Sequence, residues 1–212
     1  MSAYDRAVAL AKAAQANGDP TGWLERLYAE AGQDRDRVPW GFRDGNPNVL
    51  AWLDRPRVHE GRALVTGCGL GHDAEELARR GYAVTAFDVA PSAVAWAREL
   101  HPGSPVTYVA ADLLDPPAAW AGAFDLVLEV HTLQVLRGAA RQTAIRTLPT
   151  FLAPGGTLLV LARGREPDEP AGTFPWPLTK AELADVGLEP VSFEDWIDAD
   201  HARRFRVEWQ AP

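Results

Sequence analysis

Residues 63–73 read Ala63-Leu-Val-Thr-Gly67-Cys-Gly69-Leu-Gly71-His-Asp73, a short apolar run followed by three glycines at every second position. Glycine lets the backbone turn sharply and approach a ligand that a Cβ atom would keep away. In an open α/β sheet the ligand lies outside the carboxyl ends of the strands. The segment therefore predicts a strand, a ligand-binding turn and a helix that begins directly afterwards.

The composition of the 212 residues suits one domain with a substantial core, since 47% of them are hydrophobic. We expect residues 1–60 to form a helical N-terminal lid and residues 61–212 to form a Rossmann-like core of that single domain. The net charge of −8, without a basic stripe, argues against a nucleic-acid partner. A small-molecule partner remains compatible with this charge.

The chain also lacks the usual features of exported or membrane proteins. Its single cysteine, Cys68, forms no internal disulfide. Its apolar stretches are too short to cross a bilayer, and Asp5, Arg6 and Lys12 interrupt any signal-peptide pattern at the start. We therefore expect a cytoplasmic protein with no membrane segment.

Hydrophobic periodicity divides the chain into a helical part and a part in which strands and helices alternate. Three helices are predicted at residues 3–15, from Asp19-Pro20 to residue 31, and from Asn46-Pro47 to residue 53. Five apolar strands are predicted at residues 62–66, 83–88, 106–112, 124–130 and 157–163. Strands this apolar are typical of a parallel sheet that is buried on both faces.

Helices are expected between these strands at residues 74–80, 91–100 and 139–152, and a further helix is capped by Thr179 and Glu182. Asp73 and Glu76 are expected to form another capping box. Residues 189–197 and 203–210 predict an antiparallel pair of strands. The expected fold is α/β: a Rossmann-like, seven-stranded, mostly parallel sheet with an antiparallel terminal strand and N-terminal helices forming a lid.

Asp88 ends the second predicted strand and is the main candidate for binding a nucleoside. A carboxylate at this position accepts hydrogen bonds from both ribose hydroxyls when it lies beside a glycine turn. The alternative is an exposed residue that caps the helix beginning at Pro91. The glycine spacing departs from the dinucleotide pattern G-x-G-x-x-G, because His72 stands where the third glycine would be. A nicotinamide oxidoreductase is therefore disfavoured.

Gly67-x-Gly69-x-Gly71 followed by an acid after the second strand resembles class I methyltransferases, which bind S-adenosylmethionine. Asp112 and Leu113 match the position where that family meets the adenine, and Pro154-Gly-Gly-Thr-Leu158 matches the turn into the fifth strand. The resemblance covers residues 62–163. It implies a cofactor site formed by Trp40, Gly67, Cys68, Gly69, Asp73, Asp88, Val89, Asp112, Leu113 and Glu129.

Outer segments are similar to the thiopurine and halide/thiol methyltransferase branch. Pro39-Trp40 with Asn46-Pro47 resembles its lead-in segment, where a tryptophan packs by the cofactor. Pro170-Ala-Gly-Thr-Phe-Pro-Trp176 resembles a segment over its acceptor pocket. The resemblance implies methyl transfer to a small molecule, with sulfur favoured over oxygen or nitrogen as the methyl acceptor.

Several side chains are candidates for the acceptor side of the site. His131 follows the fourth strand and either deprotonates or orients a substrate, or is an ordinary hydrogen-bonded histidine. Arg163 either attracts an anionic acceptor or is solvated at the surface, and Trp176 is expected to roof the pocket. Trp40 either contacts the sulfonium through a cation–π interaction or packs in the core.

These residues lead to a hypothesis and its alternatives. We expect an S-adenosylmethionine-dependent methyltransferase acting on a small-molecule acceptor. The alternatives are O- or N-methylation of a small metabolite, or a protein that binds the cofactor without catalysis. No metal site is expected, because the histidines form no chelating cluster.

Overall fold

The computed structural model describes residues 1–41, 44–56, 60–172 and 174–212. Within these residues the strands are β1 (Arg62–Thr66), β2 (Ala83–Asp88), β3 (Thr107–Ala110), β4 (Phe124–Val130), β5 (Leu152–Arg163), β6 (Pro190–Ile197) and β7 (Arg203–Gln210). The α-helices are α1 (Ala3–Ala16), α2 (Gly22–Ala31), α3 (Pro47–Leu53), α4 (His72–Arg79), α5 (Pro91–Leu100), α6 (Gly138–Thr147) and α7 (Lys180–Ala184). None of the described helices is long and apolar enough to cross a membrane.

The seven strands form one sheet in the order β3-β2-β1-β4-β5-β7-β6. The first five strands of the chain pair in parallel, and β7 is antiparallel to both of its neighbours, β5 and β6. This is the predicted Rossmann-like sheet. Strand order reverses between β1 and β4, so the sheet has its switch point directly beside the glycine turn.

Helices cover both faces of the sheet. On one face, α3, α4 and α5 pack on alternate residues of the central strands, including Val65 and Leu128. On the other face, α6 and α7 pack on the remaining alternate residues, including Val127 and Val160. The helices α1 and α2 form a third cluster with α5, Leu70 and Phe174, which carries the predicted lid over the carboxyl ends of the strands.

Two predicted helix starts are wrong. α2 begins at Gly22, because the Asp19 carboxylate accepts the N–H groups of Thr21 (3.1 Å) and Gly22 (2.7 Å) in a turn before the helix. α4 begins at His72 with Gly71 as its N-cap, and no side chain caps it. The predicted capping box of Asp73 and Glu76 therefore does not form.

Two strand boundaries also differ from the prediction. β3 ends at Ala110, because the Asp112 carboxylate accepts the N–H of Leu114 at 2.8 Å and turns the chain. β5 begins at Leu152, before the Pro-Gly-Gly segment that was expected to be a turn. Its pairing with β4 shifts register between Phe124 and Leu126, so the sheet absorbs this segment as an irregularity. The capping box of Thr179 and Glu182 is confirmed.

Candidate cofactor and acceptor site

A cleft of about 1020 Å³ opens at the carboxyl ends of the parallel strands. Each parallel strand contributes predicted site residues to its lining: Gly67 and Cys68 after β1, Asp88 and Val89 after β2, Asp112 and Leu113 after β3, His131 after β4, and Arg163 at the end of β5. The fold thus brings together residues that are far apart in the sequence.

The opposite wall of the cleft comes from the lid and from the β6–β7 connection. Trp40 and residues 44–48 line it from the lid, and residues 198–200 line it from the connection. Phe42, Arg43 and Thr173, which belong to the two predicted lid segments, lie outside the described residues. The connection was not predicted to reach the site; it does so because β6 runs parallel to β5, so the connection leaves β6 at the edge of the sheet where the cleft lies.

The glycines of the turn are required by the protein's own packing. Gly67 has φ +58° and Gly71 has φ +85°, conformations that other residues rarely adopt. A Cβ atom at Gly67 would collide with the Thr132 side chain, and one at Gly71 would collide with the Tyr108 ring. Sequence reasoning assigned these glycines to the approach of a ligand, whereas the structure shows side chains filling the space beside them.

The Asp88 carboxylate is fixed by the backbone of two elements. Its Oδ2 accepts the N–H of Gly69 at 2.9 Å, and its Oδ1 accepts the N–H of Ala90 at 3.0 Å. Asp88 is only 6% exposed, and burial raises its pKa although these N–H groups oppose the shift. Gly69 itself does not line the cleft; it contributes through this bond. A buried carboxylate at the cleft is suited to bind hydroxyl donors.

Asp112 and Leu113 lie at the neighbouring position, beyond β3. One Asp112 oxygen accepts the N–H of Leu114, as described above, and Leu113 is buried. Val89 lines the cleft between Asp88 and this pair. An acidic and an apolar side chain side by side suit a flat polar ring with an amino group.

Trp40 lines the cleft beside the glycine turn, where its Nε1 donates to the Tyr28 hydroxyl at 2.7 Å. Its ring packs at 6.3 Å from Trp23 and 6.4 Å from Phe174, centroid to centroid. Trp23, by contrast, is buried in the core. Only Trp40 of the two tryptophans therefore faces the cleft.

Asp73 lines the cleft but holds the lid. Its Oδ1 accepts the N–H of Asn46 at 2.6 Å, which ties the residue before α3 to the first turn of α4. Burial raises the pKa of Asp73 to about 6, since the bond from Asn46 only partly offsets desolvation.

Two predicted site residues lie away from the cleft. Glu129 is fully buried on the α6 side of β4, and its Oε1 accepts the N–H groups of Thr132 and Leu133. Trp176 is 5% exposed and packs against Phe174, and its carbonyl accepts a hydrogen bond from Arg141. Neither residue lines the cleft.

His131 has φ +64°, a left-handed conformation, and its N–H donates to the Leu161 carbonyl at 2.9 Å. His131 lines the cleft together with Gln134. Burial and the nearby Arg204 and Arg163 lower the pKa of His131 to about 4. The imidazole is therefore neutral at physiological pH and is a weak base.

Gln134 and Arg204 were missed as site residues. Gln134 is 6% exposed, and its Oε1 accepts the N–H of Arg163 at 3.0 Å. Arg204 enters from β7 and pairs with Asp198. A signal for Gln134 was available, because a polar residue follows a buried strand end; none was available for Arg204.

A glycine turn, a buried carboxylate at the end of β2 and an acid beyond β3 define a Rossmann-like nucleoside-binding site. Residues 64–160 match the family model described as a methyltransferase domain. The matched region runs from β1 into β5 and includes both carboxylates. Sequence and fold are thus similar to methyltransferase domains over the same part of the chain.

Three curated relatives illustrate the range of similarity. They are a 2-heptyl-1-hydroxyquinolin-4(1H)-one methyltransferase of Mycobacteroides abscessus (28% identity, 71% of this chain, 66% of the relative), thiocyanate methyltransferase 1 of Arabidopsis thaliana (26%, 66% and 64%) and a ubiquinone biosynthesis O-methyltransferase of Xanthomonas axonopodis pv. citri (38%, 50% and 44%). The chain spans two thirds or less of the length of each.

Solved structures with this fold include two different activities. The N-methyltransferase NodS of Bradyrhizobium japonicum WM9, in complex with S-adenosyl-L-homocysteine, has a TM-score of 0.68 at 23% identity, over 88% of this chain and 98% of that one. The [4+2]-cyclase SpnF has a TM-score of 0.69 at 19% identity, over 90% and 94%. The likeness establishes the fold, while the reaction must be argued from the site.

Proposed function

We propose that this protein is an S-adenosylmethionine-dependent methyltransferase of a small-molecule acceptor. The observation that supports it most directly is the pair of acids, Asp88 and Asp112, at neighbouring strand ends of one cleft beside the glycine turn. The match of residues 64–160 to a methyltransferase domain agrees with this assignment. The described residues fit the cofactor, since hydrogen bonds from its ribose hydroxyls would offset the lost hydration of the buried Asp88 carboxylate.

The protein's residues divide the work of binding. Asp88 accepts hydrogen bonds from the ribose hydroxyls, and Asp112 with Leu113 holds the adenine. Gly67, Cys68 and Trp40 border the methionine part, where the Trp40 ring faces the sulfonium. The bound cofactor supplies an activated methyl group, so the protein's task is to align a nucleophile and exclude water. Asp73 keeps the lid closed through Asn46.

The acceptor side is formed by His131, Arg163 and the β6–β7 connection. We favour sulfur as the nucleophile, and the similarity to a thiocyanate methyltransferase supports this choice. O-methylation is the second candidate, supported by the ubiquinone biosynthesis O-methyltransferase. In both cases His131 orients the acceptor, because a neutral imidazole of low basicity is poorly suited to remove a proton.

Ligand-dependent melting tests the cofactor. S-adenosylhomocysteine at about 100 times its Kd should stabilise the fold by about 2.7 kcal/mol, while NAD should leave the melting temperature unchanged. Stabilisation by NAD alone would contradict the proposal. Release of S-adenosylhomocysteine should then be assayed with thiols, halides, phenols and amines. Binding without turnover on any of them would favour a non-catalytic role.

A further inference from the structure

The end of the cleft between β4 and β5 contains two guanidinium groups. Arg204 pairs through Nε with Asp198, and the other Asp198 oxygen accepts the N–H groups of Asp200 and Ala202. The Arg163 guanidinium, by contrast, has no hydrogen bond or ion pair with any residue that the structure describes. Arg163 is therefore a half-buried cation that faces the cleft without an acidic partner.

The His131 ring supplies a second unsatisfied group at the same end. The Gln134 Oε1 accepts the N–H of Arg163, which fixes the amide with its oxygen toward β5. Nδ1 of His131 is buried and lacks a partner among the described residues, so in the Nε2–H tautomer its lone pair is available to a donor group of a ligand.

The surroundings of these two groups are apolar on one side. Tyr4, Phe174 and Trp196 line the cleft near Arg163, and Tyr4 donates its hydroxyl hydrogen to the Phe174 carbonyl. Asp200 is exposed at the rim. The Asp198 charge is engaged by Arg204. Arg163 therefore keeps its charge without an acidic partner among the described residues, and the walls suit a compact apolar body.

We propose, on the basis of the function proposed above, that the methyl acceptor is a small anion whose negative group binds Arg163 and whose hydroxyl, thiol or N–H group donates to His131 Nδ1. Gln134 is a positioning residue, because its Oε1 holds the backbone N–H of Arg163. The unpaired guanidinium needs an anion, and the unpartnered nitrogen needs a donor, so one ligand satisfies both.

Three matched probes separate the two contacts: 3-hydroxybenzoate, its methyl ester and benzoate. Their affinities are measured by calorimetry for protein saturated with S-adenosylhomocysteine. The acid should bind about 10- to 100-fold more tightly than the ester, the range expected for a charged hydrogen bond. It should bind about 3- to 10-fold more tightly than benzoate, as a neutral hydrogen bond predicts.

Variants assign each preference to its residue. Arg163→Gln should abolish the preference for the acid over the ester, Arg163→Lys should keep part of it, and Arg146→Gln, the same charge change on exposed α6, should leave it intact. His131→Asn, which tolerates the left-handed backbone, should remove the preference over benzoate. Each of these variants should bind S-adenosylhomocysteine as the wild type does.

Other outcomes overturn the inference or the function separately. Equal binding of acid and ester by the wild type overturns the anion site. A loss of S-adenosylhomocysteine affinity in Arg163→Gln equal to the loss of acid affinity shows that Arg163 binds the cofactor's carboxylate instead, which also overturns it. Failure of the wild type to bind S-adenosylhomocysteine refutes the proposed function, while the three probes still report on Arg163 without it.

Discussion

The Asp88 carboxylate has two tasks that a single substitution affects differently. It holds the N–H groups of Gly69 and Ala90, and it faces the cleft. Removing it leaves two buried donors unsatisfied, so loss of the side chain affects the fold as well as the site. Asp88→Ala is therefore expected to lower the free energy of unfolding as well as the affinity for the cofactor.

Asp88→Asn is the more informative variant, since its amide retains one oxygen acceptor. We expect affinity for S-adenosylhomocysteine to fall about 10- to 100-fold in Asp88→Asn, with a smaller loss of unfolding free energy than in Asp88→Ala. Titration calorimetry and urea unfolding measure the two effects. Asp125→Asn, at the opposite end of the sheet, is the control. Unchanged affinity in Asp88→Asn would refute the ribose role.

Glu129 is an acid whose pKa is raised by its burial. Its Oε1 accepts two N–H groups, while Oε2 is buried with no partner among the described residues. Desolvation raises the pKa of Glu129 from 4.5 to about 7, although the two N–H groups and Arg141 favour the charged form. Folding therefore favours the protonated carboxyl.

The pH dependence of stability follows from this shift. Because the folded-state pKa is raised, the contribution of Glu129 is fully present below about pH 4.5 and is lost as the pH rises through about 7. Glu129→Gln keeps an oxygen for Thr132 and Leu133 and cannot ionise. At about pH 8 it should be more stable than the wild type by about 3 kcal/mol, with no difference at about pH 4. The free energy of unfolding is measured with urea at several pH values. If the difference between Glu129→Gln and the wild type does not change with pH, the raised pKa of Glu129 is wrong.

At the level of elements, the lid is attached to the sheet by individual hydrogen bonds. Asp73 in α4 accepts the N–H of Asn46, and Arg206 in β7 donates to the Asn48 carbonyl at 3.0 Å. The helix α3 is thus held at its start from two different elements. Since residues 44–48 line the cleft, the position of this segment determines the shape of the cofactor site.

Removal of the Asp73 bond should loosen the lid. Asp73→Ala should weaken S-adenosylhomocysteine binding about 10-fold, because one charge-assisted hydrogen bond is lost. Faster amide hydrogen exchange in residues 44–53 should accompany it. Asp73→Asn retains an oxygen acceptor and should resemble the wild type in both measurements. If exchange in residues 44–53 is the same in all three proteins, Asp73 has no role in holding the lid.

The sequence predicted the strands well and their ends less well. Apolar runs such as residues 124–130 can only be buried, so their place in a sheet follows from composition. The ends depend on which side chain accepts a free N–H: Asp73 was expected to cap its own helix, yet it bonds to Asn46 in the lid. This hydrogen bond is a tertiary contact, which the local sequence does not indicate.

At the scale of the whole molecule, the predictability of the site follows from strand order. Residues directly after a parallel strand, such as Asp88 and His131, were predicted to share one edge of the sheet, and the cleft lies there. Trp176 and Glu129 were misplaced because sequence does not specify which face of a strand or loop a side chain joins. Arg204 was missed because its strand runs the opposite way, so it enters the cleft from its amino end.

The position of β7 between β5 and β6 affects how the chain can assemble. In a chain that ends at residue 202, β6 has no neighbouring strand, and the edge of β5 that faces away from β4 is unpaired. Both strands gain their partner at once when Arg203–Gln210 forms β7. The strand that completes the sheet thus also completes the cleft wall that includes Arg204, so a chain truncated before Arg203 lacks both.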